Sequence, residues 1–329
     1  MSKRTETPNL LKALEFIALA QRDTGAPYQT HVLLRNNCAV AYDGVLAAGH
    51  RIDEDLNACP HTMTLVSALK KCQGALSVAQ LDSGRISVKS GRFRALVPCQ
   101  PDAIIQGTAP DPVCGQMDNR IRDALAVVSP FVIENSQRLM NAAALLRANS
   151  VLAVNGSNLI VEYWHGINLP QMLVPKLFIT ALTKINKNIV SFGFSPTSLT
   201  VYFEDTSWLK TQLYNERYPD CDSVLSKPHS PQLLPVGFYE AFNTIVSFVK
   251  DGRIFIKKNR VQTDAIDELG ASYEVDGLDA NVAYSARQLK LLDGCIKTID
   301  FKGHNGVSYF YGDNLRGAIG QMEQNNETT

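Results

Sequence analysis

Leu33-Leu34-Arg35-Asn36-Asn37-Cys38-Ala39-Val40-Ala41-Tyr42-Asp43-Gly44 returns without a gap as Leu145-Leu146-Arg147-Ala148-Asn149-Ser150-Val151-Leu152-Ala153-Val154-Asn155-Gly156, 112 positions further on. A period this long exceeds the roughly 20–50 residues of a solenoid unit and marks a whole small domain copied along the chain. The 329 residues leave room for about three copies.

The repeat extends beyond that stretch. Short helices are expected over Thr64–Cys72, Pro175–Ile185 and Ser285–Leu292, each opened by a Thr, Ser or Pro suited to a helix start. A β-rich run follows each: Ile86–Val88, Leu199–Phe203 and Val307–Tyr311, entered through turn clusters such as Gly303-His304-Asn305-Gly306. A second helix opens each unit, at Leu10–Arg22, Asp118–Val128 and Phe238–Val246. Breaks fall at Gln100–Gln116 and Ser226–Gln232, and Glu323–Thr329 reads as a polar tail. The expected domains are 1–112, 113–228 and 229–329.

With 45% hydrophobic and 19% charged residues and no net charge, the chain has ample core for three domains of about 110 residues each. No apolar run is long enough for a membrane helix and no leader opens the sequence, so a cytoplasmic protein without a membrane partner is expected. Seven scattered cysteines, never spaced CxxC, read as reduced thiols. No phosphate-binding, dinucleotide, nucleophile-elbow or zincin motif occurs, and the six histidines show no ligand spacing. The expectation is a protein that is not an enzyme and needs neither metal nor cofactor.

The repeated helices carry cations opposite an apolar face. Lys70 and Lys71 oppose Leu65, Ala68 and Leu69, while Lys184 and Lys187 oppose Phe178, Leu182 and Ile185. Arg287, Lys290 and Lys297 follow a helical stripe if the third helix extends that far, and Arg120 opens the middle unit. One solvated helix with lysines means little; three equivalent ones point to a basic functional surface.

Taken together, the chain resembles the sliding clamp of bacterial DNA replication, the beta subunit of the replicative polymerase, or a bacteriophage relative of it. The likeness runs from about Leu10 to Met322. Its more specific pieces are Val88-Lys89-Ser90-Gly91-Arg92-Phe93-Arg94 and Arg217-Tyr218-Pro219-Asp220-Cys221-Asp222-Ser223-Val224-Leu225. The latter is similar to an aromatic-Pro-Asp-aromatic segment of that family. Asn155-Gly156-Ser157-Asn158-Leu159 stands where the family has Thr-Asp-Gly-His-Arg-Leu.

The resemblance implies an α+β clamp fold of three similar domains, each with two helices on antiparallel sheets. Two chains would close head to tail as a homodimeric ring around double-stranded DNA, tethering DNA polymerase and clamp loader. Phosphate contacts would then be salt-sensitive and blind to sequence. By the same resemblance, Ile245 and Val246 meet Arg92, Arg94 and Val97 at ring closure. A partner-peptide pocket would hold Met140, Gly156, Leu159, Pro219, Val224 and Ile319. Here the chain departs from the family: Ser157-Asn158 replaces His-Arg, Ser223 replaces an arginine, and Ile319-Gly320-Gln321-Met322 replaces a Met-Pro-Met-Arg-Leu ending. The apolar part of the pocket is retained and its cations are lost, which implies a differently shaped partner motif or a weakened pocket. The competing reading is a clamp-fold adaptor or decoy that binds replication proteins without encircling DNA.

Overall fold

The computed structural model describes residues 9–100, 109–266 and 269–323. Parts of the Gln100–Gln116 linker and of the polar tail therefore lie outside the described residues.

In chain order the elements begin with α1 (Asn9–Ile17), α2 (Pro27–Thr30), β1 (Leu33–Arg35), β2 (Cys38–Tyr42), β3 (Leu46–Arg51), β4 (Cys59–Pro60) and α3 (Thr62–Lys70). There follow β5 (Leu76–Gln80), β6 (Ile86–Ser90), β7 (Phe93–Val97), β8 (Cys99–Gln100), β9 (Val113–Gln116) and α4 (Arg120–Val128). The middle of the chain forms β10 (Ala143–Leu146), β11 (Ser150–Asn155), β12 (Leu159–Trp164), β13 (Met172–Pro175) and α5 (Lys176–Lys184). Next come β14 (Ile189–Ser195), β15 (Ser198–Phe203), β16 (Trp208–Gln212), α6 (Cys221–Leu225), β17 (Gln232–Leu233) and α7 (Phe238–Ile245). The last are β18 (Arg253–Lys257), β19 (Arg260–Gln262), β20 (Ser272–Glu274), β21 (Val282–Ser285), α8 (Ala286–Leu291), β22 (Thr298–His304), β23 (Val307–Gly312) and β24 (Leu315–Gly320).

The chain divides into two compact units, Met1–Arg122 with Leu177–Leu213, and Asp123–Lys176 with Tyr214–Thr329. The first is built on a seven-stranded sheet, β1-β2-β3-β16-β15-β14-β9, with a three-stranded sheet β5-β6-β7 and the short pair β4-β8. The second is built on an eight-stranded sheet, β13-β10-β11-β12-β24-β23-β22-β17, with a four-stranded sheet β20-β19-β18-β21. Strands far apart in sequence complete each large sheet. β16 pairs antiparallel with β3 through Trp208–Gly49, and β12 pairs with β24 through Leu159–Ile319 and Ile160–Ala318.

Local sequence explains the elements. α1 buries Leu10, Leu11, Ala13, Leu14, Phe16 and Ile17 and exposes Lys12 and Glu15, the pattern of a helix laid on a sheet. Its buried face meets β3, β2 and α3. α3 starts two residues before Thr64 because the His61 side chain accepts from the Thr64 amide and caps it. Ser285 caps α8 by accepting from Gln288 N–H. The Asn305-Gly306 turn has φ of 50° and 72° and closes the β22–β23 hairpin with two residues, as a type I′ turn requires.

Candidate functional sites

Lys71, Lys184, Arg287 and Lys290 are exposed on or beside α3, α5 and α8, and among the described residues none has a carboxylate at ion-pair distance. The other expected cations are partnered. Lys70 meets Glu15 at 3.0 Å and Arg120 meets Asp118 at 2.8 Å. Lys297 lies beyond α8, which ends at Leu291 before Gly294 turns the chain at φ 72°, and it pairs with Asp313 at 2.5 Å. Lys187 likewise follows the end of α5. Its ammonium sits 2.6 Å from Asp205 and 4.0 Å above the Phe16 ring, a bracing role rather than a free charge. Burial alone would raise Asp205, but hydrogen bonds from Lys187 and Ser207 outweigh it and hold the carboxyl at about 2. Arg122 donates to the carbonyls of Ile185 and Lys187 and so closes the end of α5.

The expected pocket residues fall on two faces of the eight-stranded sheet. On one face Ile160, Ala318 and Tyr309 line up across three strands, and Val224 and Leu225 of α6 pack on them. Successive strand residues point to opposite sides, so Leu159 and Ile319 face the other way, and both are fully buried. They lie behind the groove instead of in its wall. Pro219 is exposed, whereas Val224, Met140 and Gly156 are half-buried. Gly156 takes φ 69° in the β11–β12 turn, where a left-handed residue is needed.

Beside Pro219 the segment leading into α6 leaves a cavity of ≈ 130 Å³, walled by Leu145, Leu152, Tyr218, Arg147 and Asp222. Asp220 caps α6 by accepting from Ser223 N–H. Glu162, buried on the same sheet face as Ile160 and opposite Leu152 on β11, accepts from Ser150 Oγ at 2.6 Å and from Arg316 at 2.7 and 2.8 Å. Arg147 spans Glu162 at 3.4 Å and Asp222 at 2.6 Å. The hydrogen bond from Arg147 holds the Asp222 carboxyl below its ordinary range. Burial pushes the Cys221 thiol up to about 12, so this pocket cysteine stays protonated and is no nucleophile. Arg147 is visible in the sequence only as part of the repeat; its reach to α6 depends on strand pairing that spacing does not reveal.

A larger cavity of ≈ 480 Å³ lies between Pro228–Gln232 and the Ile299–Gly303 stretch. Its one buried carboxylate, Asp300, is already served by the amides of Ser230, Lys302 and Gly303. Among the described residues no group of three His, Cys, Asp or Glu could hold a metal ion, and no helix is long and apolar enough to cross a membrane.

Of the residues expected at ring closure, Arg92 and Arg94 are exposed, Val246 is half-buried, and Val97 and Ile245 are core. β7 pairs only with β6 and is the edge of its sheet, with Leu96 44% exposed. In the other unit β20 is also an edge, its three residues Ser272, Tyr273 and Glu274 all exposed. Sequence reading missed β20, which has three residues and no apolar alternation.

No family model matches the sequence, and no curated protein matches it. Solved structures do. The DNA polymerase III subunit beta from Pseudomonas aeruginosa superposes with a TM-score of 0.80 at 13% identity, covering 97% of this chain and 99% of that one. The DNA polymerase sliding clamp from Bacillus subtilis gives 0.78 at 13% identity, covering 97% and 98%. The Helicobacter pylori beta clamp bound to a DNA ligase peptide gives 0.77 at 14% identity, covering 97% and 99%. The chain has the fold of the bacterial DNA sliding clamps, the beta subunits of DNA polymerase III.

Proposed function

We propose that this chain is a DNA polymerase processivity factor. Each chain supplies three clamp domains, 1–112, 113–228 and 229–329, and two chains close head to tail around duplex DNA. The ring slides without sequence preference and performs no catalysis. It tethers a polymerase and is opened by a clamp loader, both through the groove beside Pro219 and Val224. The observation that carries the reading is that two of the sheet edges, β7 and β20, are exposed and bear opposite charges. β7 offers Arg94 and Leu96, with Arg92 in the turn that enters it, and β20 offers Tyr273 and Glu274. An edge strand left open is a pairing site, and opposite charges on the two edges favour joining one to the other. Likeness to sliding clamps over 97% of the chain supports the same closure. The free cations Lys71, Lys184, Arg287 and Lys290 supply a surface for phosphate contacts that are individually weak enough to permit sliding.

The test is retention on circular duplex DNA after loading, followed by linearisation. Release on cutting supports an encircling ring; equal retention on circles and linear molecules overturns it. A second reading, an adaptor that does not encircle DNA, draws on the pairing of Lys70, Arg120, Lys187 and Lys297 with carboxylates, which removes half of the expected cations. Such a protein would be monomeric and would not be retained on circles.

A further inference from the structure

The repeat also fixes how successive copies join. β3 and β12 are the third strands after α1 and α4, and β16 and β24 are the third after α5 and α8. β3 pairs antiparallel with β16, and β12 with β24. Both joints keep one register. Val40 and Leu152, equivalent in the repeat, face Gly49 and Glu162 across their hairpins. Gly49 and Glu162 then pair with Trp208 and Arg316, which pair in turn with Tyr202 and Tyr311.

β20 and β7 hold the same two places after α7 and α3, and each pairs on one side only, with β19 and with β6. Val261 pairs with Ile256 as Val151 does with Leu146, so Gln262 takes the place of Leu152. Gln262 faces Ser272, which therefore stands where Glu162 stands. Arg94 follows the β6–β7 turn, paired with Lys89, as Arg316 follows the β23–β24 turn, paired with Tyr311. We propose that β20 pairs antiparallel with β7 of a second copy in this register, Ser272 lying opposite Arg94 of the partner subunit. Tyr273 then faces the partner subunit's Phe93, and Glu274 faces the partner subunit's Arg92. This rests on the reading of the chain as a ring.

The register makes the seam weaker than the interior joint. At that joint the Glu162 side chain is 4% exposed and accepts from Arg316 at 2.7 and 2.8 Å. At the seam a serine hydroxyl replaces the carboxylate. Closure there covers a guanidinium with no anion opposite it, a desolvation cost that the interior joint offsets with its ion pair. The Tyr273–Phe93 contact and the solvent-facing Glu274–Arg92 pair hold the seam only modestly. The serine thus marks the seam as the joint at which the ring opens.

The test installs the missing carboxylate. Sedimentation across a dilution series gives dimer dissociation constants for the full-length parent, Ser272→Glu, Arg94→Gln, Arg92→Gln and the two double variants. Circular dichroism melting checks that each folds. Ser272→Glu should tighten the dimer about tenfold, since both seams of the ring gain a cross-strand ion pair. Measured against each arginine variant alone, the gain should survive Arg92→Gln and vanish with Arg94→Gln. It should shrink in about 0.5 M salt. A dimer that Ser272→Glu leaves unchanged or loosens, or a gain indifferent to Arg94, overturns the register and leaves the ring standing. A monomeric parent that dimerises as Ser272→Glu, through Arg94, upholds the register and refutes the self-closing ring. Chains that stay monomeric in every form refute both.

Discussion

Replacing Gly49 by alanine tests the seam that joins β3 to β16. A Cβ built on Gly49 would lie 2.3 Å from Cε2 and Cζ2 of Trp208 and 2.5 Å from its Nε1. Ordinary carbon contacts begin near 3.4 Å, so the indole would have to retreat by roughly 1 Å. It has little room to do so, since Trp208 is 6% exposed and Gly49 is its direct cross-strand partner. Overpacking of this kind costs about 1–3 kcal/mol, and a rigid bicyclic ring on a central strand belongs at the upper end. Gly49→Ala is expected to destabilise by about 2–3 kcal/mol. Trp208→Leu alone should cost about 2–4 kcal/mol through the volume lost. In the double variant the added methyl occupies vacated space, so the two costs should fall short of additivity by about 1–2 kcal/mol. Guanidinium unfolding of the four proteins, followed by circular dichroism, measures that coupling. A Gly49→Ala cost below about 0.5 kcal/mol, or strict additivity, refutes the packing account.

Three further outcomes follow from the same physics. Gly317→Ala should be at least as damaging as Gly49→Ala, because its Cβ would lie 2.2 Å from Phe310 and 2.3 Å from the Ile160 carbonyl; a melting temperature within a degree or two of the parent would contradict this. The Asp205 carboxyl is held at about 2, below its ordinary 3.8, so its contribution is present above pH 4 and vanishes as pH falls towards 2. With 38% of that side chain exposed, Asp205→Asn should cost only about 1 kcal/mol at pH 7, and the gap should close in unfolding curves run at pH 2. Finally, replacing Lys71, Lys184, Arg287 and Lys290 by glutamate should shorten retention on circular DNA and flatten its salt dependence by about 0.9 in log–log slope per lost phosphate contact; an unchanged slope rules out those four cations.

The repeat was legible because it is local. The matched stretches at Leu33 and Leu145 both form hairpins, β1–β2 and β10–β11, and the expected helices near Thr64, Pro175 and Ser285 are α3, α5 and α8 to within two residues. What sequence could not supply is pairing at long range. β16 joining β3, and β24 joining β12, bring together residues more than 150 positions apart. Alternation then decided the pocket. Leu159 and Ile160 are equally apolar in the sequence, yet only Ile160 lies on the face that α6 covers. Helix length decided the cations: Gly294 turns the chain before Lys297 can join the α8 stripe. Val97 and Ile245, expected at an interface, are buried in the core of their own units, and the open edge β20 is too short to announce itself.

The central claim is that two of these chains close into one ring through β7 and β20, and solution mass tests it most directly. Light scattering across a dilution series should give twice 36.2 kDa, falling to a single-chain mass in Arg94→Glu and returning when Arg94→Glu is mixed with Glu274→Arg. A parent protein of 36.2 kDa at every concentration, or a dimer indifferent to both charge changes, would contradict closure through these edges.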